Sequence, residues 1–375
     1  MHIFIAGLVL NMNILVPNIY RCGKKDLSLK FRHKPFASRY AQFKVRKMNN
    51  QLSILNRTSK IKECFRKDKN ICSGKIAQSH RLQKNGKLSF IEENYKGNNA
   101  IFTPTSCELD INGQHTDLIP IGKSKASTFS GFCSLHDKSI FKPIEDLDFN
   151  SKSKEQLFLH SYRAFAHSYH IQRQMLKAYQ TDSEFTQDMD IICRREFIDG
   201  YEIGVNEGNN MKEYLNNNLS FKNFDSLSYF FNVLDGIYPI ASSGTISPRF
   251  SIYGVPINNH IDSRIPYSDI MFTLFPYNSG TLAIIAVKND DNKGLILLNE
   301  LTKITQEQLV LVLSTFLTFY AENTFFSPSI WIKMSSNERK QYLRELDYAV
   351  SDAFQMTHSF QLARTNFFQK KFMIN

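Results

Sequence analysis

Two sequence-distant pairs of metal-type donors, Cys64-x7-Cys72 and Cys133-x2-His136, constrain this chain more than any other feature. Thiolate sulfur and imidazole nitrogen are the soft and borderline donors that a tetrahedral zinc ion takes. The Cys-x2-His spacing lets two side chains reach one ion; the first pair is looser, and His80 follows Cys72 after seven more residues. This predicts a zinc site on Cys64, Cys72, Cys133 and His136. Read only as packing, the same residues would be buried free thiols and unrelated histidines. The surrounding Lys and Arg make an odd setting in which to bury thiols for packing alone.

At 375 residues, the expected organisation is two domains plus a tail: an arm over 1–47, a zinc module over 48–150 and a larger domain over 151–375. A hydrophobic content of 42%, with 13% aromatic residues, supplies a core and excludes a disordered chain. The six cysteines have no regular spacing, so they read as metal ligands plus spare thiols in a reducing, cytoplasmic compartment rather than as a disulfide framework. No apolar run has the length of a membrane span, and no membrane partner is expected.

The net charge of +11 is unevenly distributed: +9 over residues 1–47, +4 over 48–150 and −2 over the rest. Residues 57–87 carry ten Lys and Arg against Glu63 and Asp68. A basic band around a metal site is the footprint of contact with a phosphate backbone, DNA or RNA. The alternative is a solvated lysine-rich surface.

Ile3 to Val16 is apolar, but no basic residue precedes it and no small-residue cleavage site follows, so it reads poorly as a signal peptide. Met48 opens a stretch that looks like an ordinary protein start. The arm is therefore expected to be an upstream extension or a mobile tail, with nucleic-acid binding as its functional alternative. Between 48 and 150, Ile71–Ala77 reads as a knuckle closing onto a strand and Ala77–Gln83 as alternating. Asn98-Asn99 and Asp110–Gly113 read as turns, and Pro143 is expected to stop the helix opened by Cys133.

The order Cys64…Cys72…Ser79-His80-x2-Gln83…Gly131-Phe132-Cys133-x2-His136-Asp137…Phe141-x-Pro143-Ile144-Glu145 resembles a family of largely uncharacterised bacterial proteins. Part of it is similar to the treble-clef module of zinc-supported HNH endonucleases. The resemblance covers about residues 52–150. It implies zinc on Cys64, Cys72, Cys133 and His136, and places His80 where the nuclease histidine, the general base, stands. A working nuclease would also need a second divalent metal such as magnesium on the scissile phosphate. The pattern departs from the nuclease at Glu93-Asn94-Tyr95, where tyrosine replaces a second histidine, and Asp137 is the one obvious acidic ligand. His80 as a zinc ligand in place of Cys64, or as a hydrogen-bonding neighbour of a ligand, remain open readings.

Beyond Ser151–Glu155, apolar residues from Leu157 to Leu176 recur at helical spacing, predicting a helix over about 154–180 that carries His160, His167 and His170. His167-x2-His170 could share one face, but with no third donor nearby the pair reads as core-edge or surface histidines. A second helix is expected over about 184–217, with Asp188, Asp190, Glu196, Asp199 and Glu202 on a solvated face. Strands are expected at 226–234 and 237–243. Ile270–Phe275 and Thr281–Val287 around Tyr277–Gly280 predict a hairpin covered on both faces. Thr305-x2-Gln308 and Ser335-x2-Glu338 are capping boxes opening helices that would cover the sheet.

The expected fold class is therefore α+β: a treble-clef or HNH-like zinc module followed by a mixed sheet-and-helix domain used as scaffold or recognition surface. The expected role is zinc-dependent nucleic-acid interaction, its sharper form an HNH-like nuclease in bacterial defence. The rival is a non-enzymatic, zinc-stabilised factor with a protein partner.

Overall fold

The computed structural model describes residues 59–66, 71–77, 79–80, 88–106, 116–123, 126, 128–181, 186, 191–258, 266–277, 280–321, 323–349 and 357–374. The arm over 1–47, the start at Met48 and the Asp110–Gly113 turn lie outside them. The described chain is α+β. Its centre is an eight-stranded sheet in the order β2-β3-β10-β7-β8-β9-β6, with β4 on β3. These strands are β2 (Glu93–Tyr95), β3 (Asn98–Ser106), β4 (Thr116–Ile121), β6 (Leu227–Asp235), β7 (Ile240–Ile246), β8 (Ile270–Tyr277), β9 (Gly280–Lys288) and β10 (Thr324–Phe326). Every pairing among them is antiparallel.

The predicted hairpin is β8 and β9, and the two halves of its alternation are both buried. Ile270, Phe272 and Leu274, with Ala283, Ile285 and Val287, face one apolar layer. Met271, Phe275, Leu282, Ile284 and Ala286 face the other. A strand covered on both sides has no reason to alternate polar residues, which explains the near-continuous apolar runs. Gly280 opens β9 because β6 passes too close: a Cβ there would lie 2.3 Å from the Leu234 carbonyl oxygen.

One face of the sheet is covered by α2 (Lys154–Gln180) and α3 (Ile191–Ser220). Ser153 caps α2 by accepting from the Gln156 N–H at 3.2 Å. The other face is covered by α4 (Asn292–Leu301), α5 (Gln306–Thr315), α6 (Pro328–Lys333) and α7 (Ser336–Ala349). Both capping boxes form: Gln308 N–H donates to Thr305 Oγ1, and Ser335 N–H donates to Glu338 Oε2.

The strands β2 to β4, which precede residue 150, belong to this same sheet, because β3 pairs with β10 through Phe102 and Phe326. The expected turn at Asn98-Asn99 is displaced: Lys96 and Gly97, both at positive φ, make the two-residue hairpin, and Asn98 already pairs with Tyr95. That combination is what an antiparallel hairpin's twist demands.

A second, two-stranded sheet joins β1 (Ser79–His80) to β5 (Thr128–Phe129), which leads into α1 (Ser134–Glu145). Pro143 does not stop α1 as expected. It sits in the last turn, where its missing N–H costs one bond, while Lys142 still accepts from the Asp146 N–H and Gln156 Nε2 donates to the Pro143 carbonyl.

Candidate metal centre

Local backbone geometry brings the two clips together. Gly74, at φ +73°, turns the chain after Cys72 in a left-handed conformation that favours glycine. Ile76 then bridges to Cys133, and Ala77 N–H donates to the Phe132 carbonyl at 2.9 Å. From the other side, Phe65 N–H donates to the Gly131 carbonyl, and Ser134 N–H donates to the Lys75 carbonyl. Cys133 occupies the N-cap position of α1 with extended backbone, so its side chain and that of His136, one turn on, share the helix entrance.

The result is a compact donor set. His136 Nδ1 stands 3.4 Å from Cys64 Sγ, 3.5 Å from Cys72 Sγ and 3.3 Å from Cys133 Sγ. All four ligand atoms lie within 4.8 Å of one another. One imidazole nitrogen carries at most one proton, so it cannot satisfy three thiols by hydrogen bonding. A tetrahedral ion with sulfur at about 2.3 Å and nitrogen at about 2.0–2.1 Å would instead set each sulfur about 3.5–3.6 Å from the nitrogen. The observed spacings fit that figure, and the Cys3His set can hold a metal ion such as zinc.

The electrostatics of the thiols differ. Burial pushes Cys64 up to about 12, outweighing hydrogen bonds from the Cys133 and Arg66 backbone. Burial also raises Cys133, but hydrogen bonds from the His136 and Ser73 backbones and the Ser73 side chain more than offset it, leaving it lowered to about 7. Cys133 N–H also donates to Cys64 Sγ at 3.3 Å, the kind of contact that supports a thiolate ligand. Cys64, held protonated at neutral pH by burial, has to release its proton to ligate an ion, which would tie metal binding to proton release.

Around the cluster the chain is pinned to α2 and α3 by aromatic and ionic contacts. Phe65 packs against Phe132, Tyr162, Phe165 and Tyr169. Arg66 donates to the Asn216 carbonyl and to Ser220 Oγ on α3. Arg163, only 2% exposed, lies over the Phe141 ring at 3.8 Å and pairs with Glu145 at 2.6 Å. Burial raises the pKa of Asp137, with Arg163 opposing it.

Arg163 had no separate signal in the sequence; it belongs to a polar stripe on α2, Gln156, His160, Arg163, His167, His170 and Gln174, at alternating four- and three-residue steps. All six are buried, so His167 and His170 lie in the interior rather than at the surface or core edge as expected. His167 and His170 lie edge-on to Phe129, and His160 packs on Phe275. The stripe escapes a hydrophobic reading because it is the polar seam along which α2 meets α1, β5 and the sheet.

On the expected acidic face of α3, Asp199 pairs with Arg195 in solvent and Glu202 accepts from Gln180, while Asp188 and Asp190 lie outside the described residues. His80 ends β1, paired with Thr128, and its side chain lies outside the described residues. Among the described residues, Cys64, Cys72, Cys133 and His136 form the metal-type cluster, and no helix is long and apolar enough to cross a membrane. Comparison with family models, with curated proteins and with solved structures finds no match for this chain.

Proposed function

We propose that this protein is a zinc-stabilised, nucleic-acid-interacting factor whose metal site is a treble-clef-like module. The observation that carries the reading is the convergence of three sulfurs on His136 Nδ1 at 3.3–3.5 Å, at the entrance of α1 and beside the β1–β5 pair. A knuckle, a strand pair and a helix that supplies two ligands from its first turn is the layout of that module. Zinc is the ion that a closed set of three thiolates and one imidazole suits, in a structural rather than catalytic role. Among the described residues, the exposed Lys60, Lys62 and Lys75 beside the donors then give the module basic surface for phosphates.

The strand–strand–helix order, with His80 on the strand before the insertion, also supports the HNH-like nuclease reading. In that reading His80 activates water, Asp137 contributes to a magnesium site and the role is defence against foreign nucleic acid. The non-enzymatic protein-interaction factor keeps zinc and discards the phosphate partner.

Three measurements on the purified protein separate these readings: zinc content, salt-dependent retention of DNA and RNA, and magnesium-dependent cleavage. About one zinc per chain with salt-sensitive retention supports the proposal. Zinc without retention leaves the protein-interaction factor, and absence of zinc overturns the metal site. Cleavage lost in His80→Ala with zinc and binding intact establishes the nuclease; zinc lost in that variant makes His80 part of the metal site.

A further inference from the structure

Residues 59–66 run as a strap over α2 and α3, ending at the metal ligand Cys64 and the buried Phe65. Arg173 of α2 pairs with Glu63 at 2.6 Å, and Lys177 Nζ donates to the Lys60 carbonyl at 3.2 Å. Between the strap and α2 lies an open groove of about 620 Å³, lined by Lys60, Lys62, Glu63, Arg173, Lys177 and Gln180 among others. The carboxylates nearby are already engaged: Glu63 on Arg173, and Glu202 on Gln180. Lys60, Lys62 and Lys177 are exposed and make no ion pair among the described residues. The groove therefore has two cationic walls, one on the strap and one on a helix: among the described residues Lys60, Lys62, Arg173 and Lys177 stand against the carboxylates of Glu63 and Glu202 alone.

We infer that this groove is the track for a nucleic-acid backbone, and that the metal holds one wall of it in place. The inference rests on the nucleic-acid reading above and deepens it by assigning the contact surface. Lysine heads on flexible stems suit phosphates, which carry the affinity but no sequence information. The rings packed beside the groove, Phe65 and Tyr169, are buried under Lys212, so among the described residues that line the groove none offers bases an aromatic face. Binding here is consequently indifferent to sequence and steeply dependent on salt. The Lys60–Lys62 wall precedes Cys64 directly, so losing the ion frees that wall while Lys177 stays on α2.

The experiment uses the full chain, a labelled mixed-sequence DNA strand, its duplex and the matching RNA, with affinity followed against salt. The variant Lys60→Gln/Lys62→Gln/Lys177→Gln removes three exposed charges, and Lys303→Gln/Lys333→Gln/Lys340→Gln removes three exposed charges from the other layer, one in the turn between α4 and α5 and two on α6 and α7. The groove variant is expected to flatten the logarithmic salt slope by about 3 and to weaken binding on the order of a hundredfold at about 0.1 M salt. The control variant changes neither beyond a small uniform loss, and both melt like the parent. Chelation is expected to weaken the parent while adding little to the loss in the groove variant. A groove variant that binds like the parent, or no worse than the control, overturns the groove while leaving nucleic-acid binding standing. A parent that binds none of the three probes at low salt overturns the nucleic-acid reading and the groove with it.

Discussion

The segments around the Cys3His cluster and the sheet body solve the same problem by different means. In the sheet, β8 and β9 are buried on both faces, and α4 to α7 close one side with an apolar layer that includes Phe272, Phe316, Phe326 and Tyr342. Residues 59–66, 71–77 and 128–133 have little regular structure beyond the short β5; they borrow the aromatic flank of α2 through Phe65, Phe129 and Phe132 and bring three sulfurs to His136 of α1. A region with little core of its own concentrates its stability in a few groups. A region with a large core spreads it over many.

The largest expected effect comes from breaking the concentrated side. Chelation, or Cys133→Ser, should remove the metal and unfold the strap and the β1–β5–α1 unit while the sheet persists, because structural zinc contributes about 10–16 kcal/mol of apparent binding energy. Hydrogen exchange resolved along the chain would show rapid exchange confined to 59–77 and 128–145. Equal loss of protection in β8 and β9 would mean that the two regions are one cooperative unit. Cys107→Ser and Cys193→Ser should keep the metal.

The distributed side is tested by Phe272→Ala. Phe272 is fully buried against Phe316, so its truncation should cost about 3–5 kcal/mol in denaturant unfolding while leaving metal content unchanged. A loss of metal in that variant would show that the sheet, not the local turns, sets the donor geometry.

The smallest effect sharpens the seam between the regions. Burial, helped by the neighbouring Arg173 and opposed by Glu63, holds the His170 pKa down at about 4. The unfolded chain takes up that proton near the ordinary value of about 6.5, and the folded chain only near 4. Stability is thus fully present above about pH 6.5 and falls as pH drops towards 4, by up to about 3 kcal/mol. His170→Gln should flatten that part of the dependence of melting temperature on pH. An unchanged profile would place the acid sensitivity elsewhere.

Legibility followed the range of the interactions. The capping boxes at Thr305 and Ser335, the α2 periodicity and the β8–β9 runs are local signals, and the structure forms all of them. The donor set was legible too, because few residue types ligate a metal and here four of them converge. What escaped was set by distant partners: β3 joining β10, Pro143 tolerated inside α1, and the burial of the Gln156–Gln174 polar stripe.

The sequence by itself determined which residues could ligate, where helices begin and which strands must be covered on both sides, since donor chemistry, capping and periodicity belong to neighbouring residues. Only the tertiary structure decided that a buried arginine, Arg163, stands over the Phe141 ring of the helix that Cys133 caps. It also decided that the strap's lysines face Arg173 and Lys177 of α2 across a groove. Such meetings depend on chain segments that carry no local record of each other: loop closure is paid for by burial and coordination elsewhere, and only the folded chain brings the two sides together.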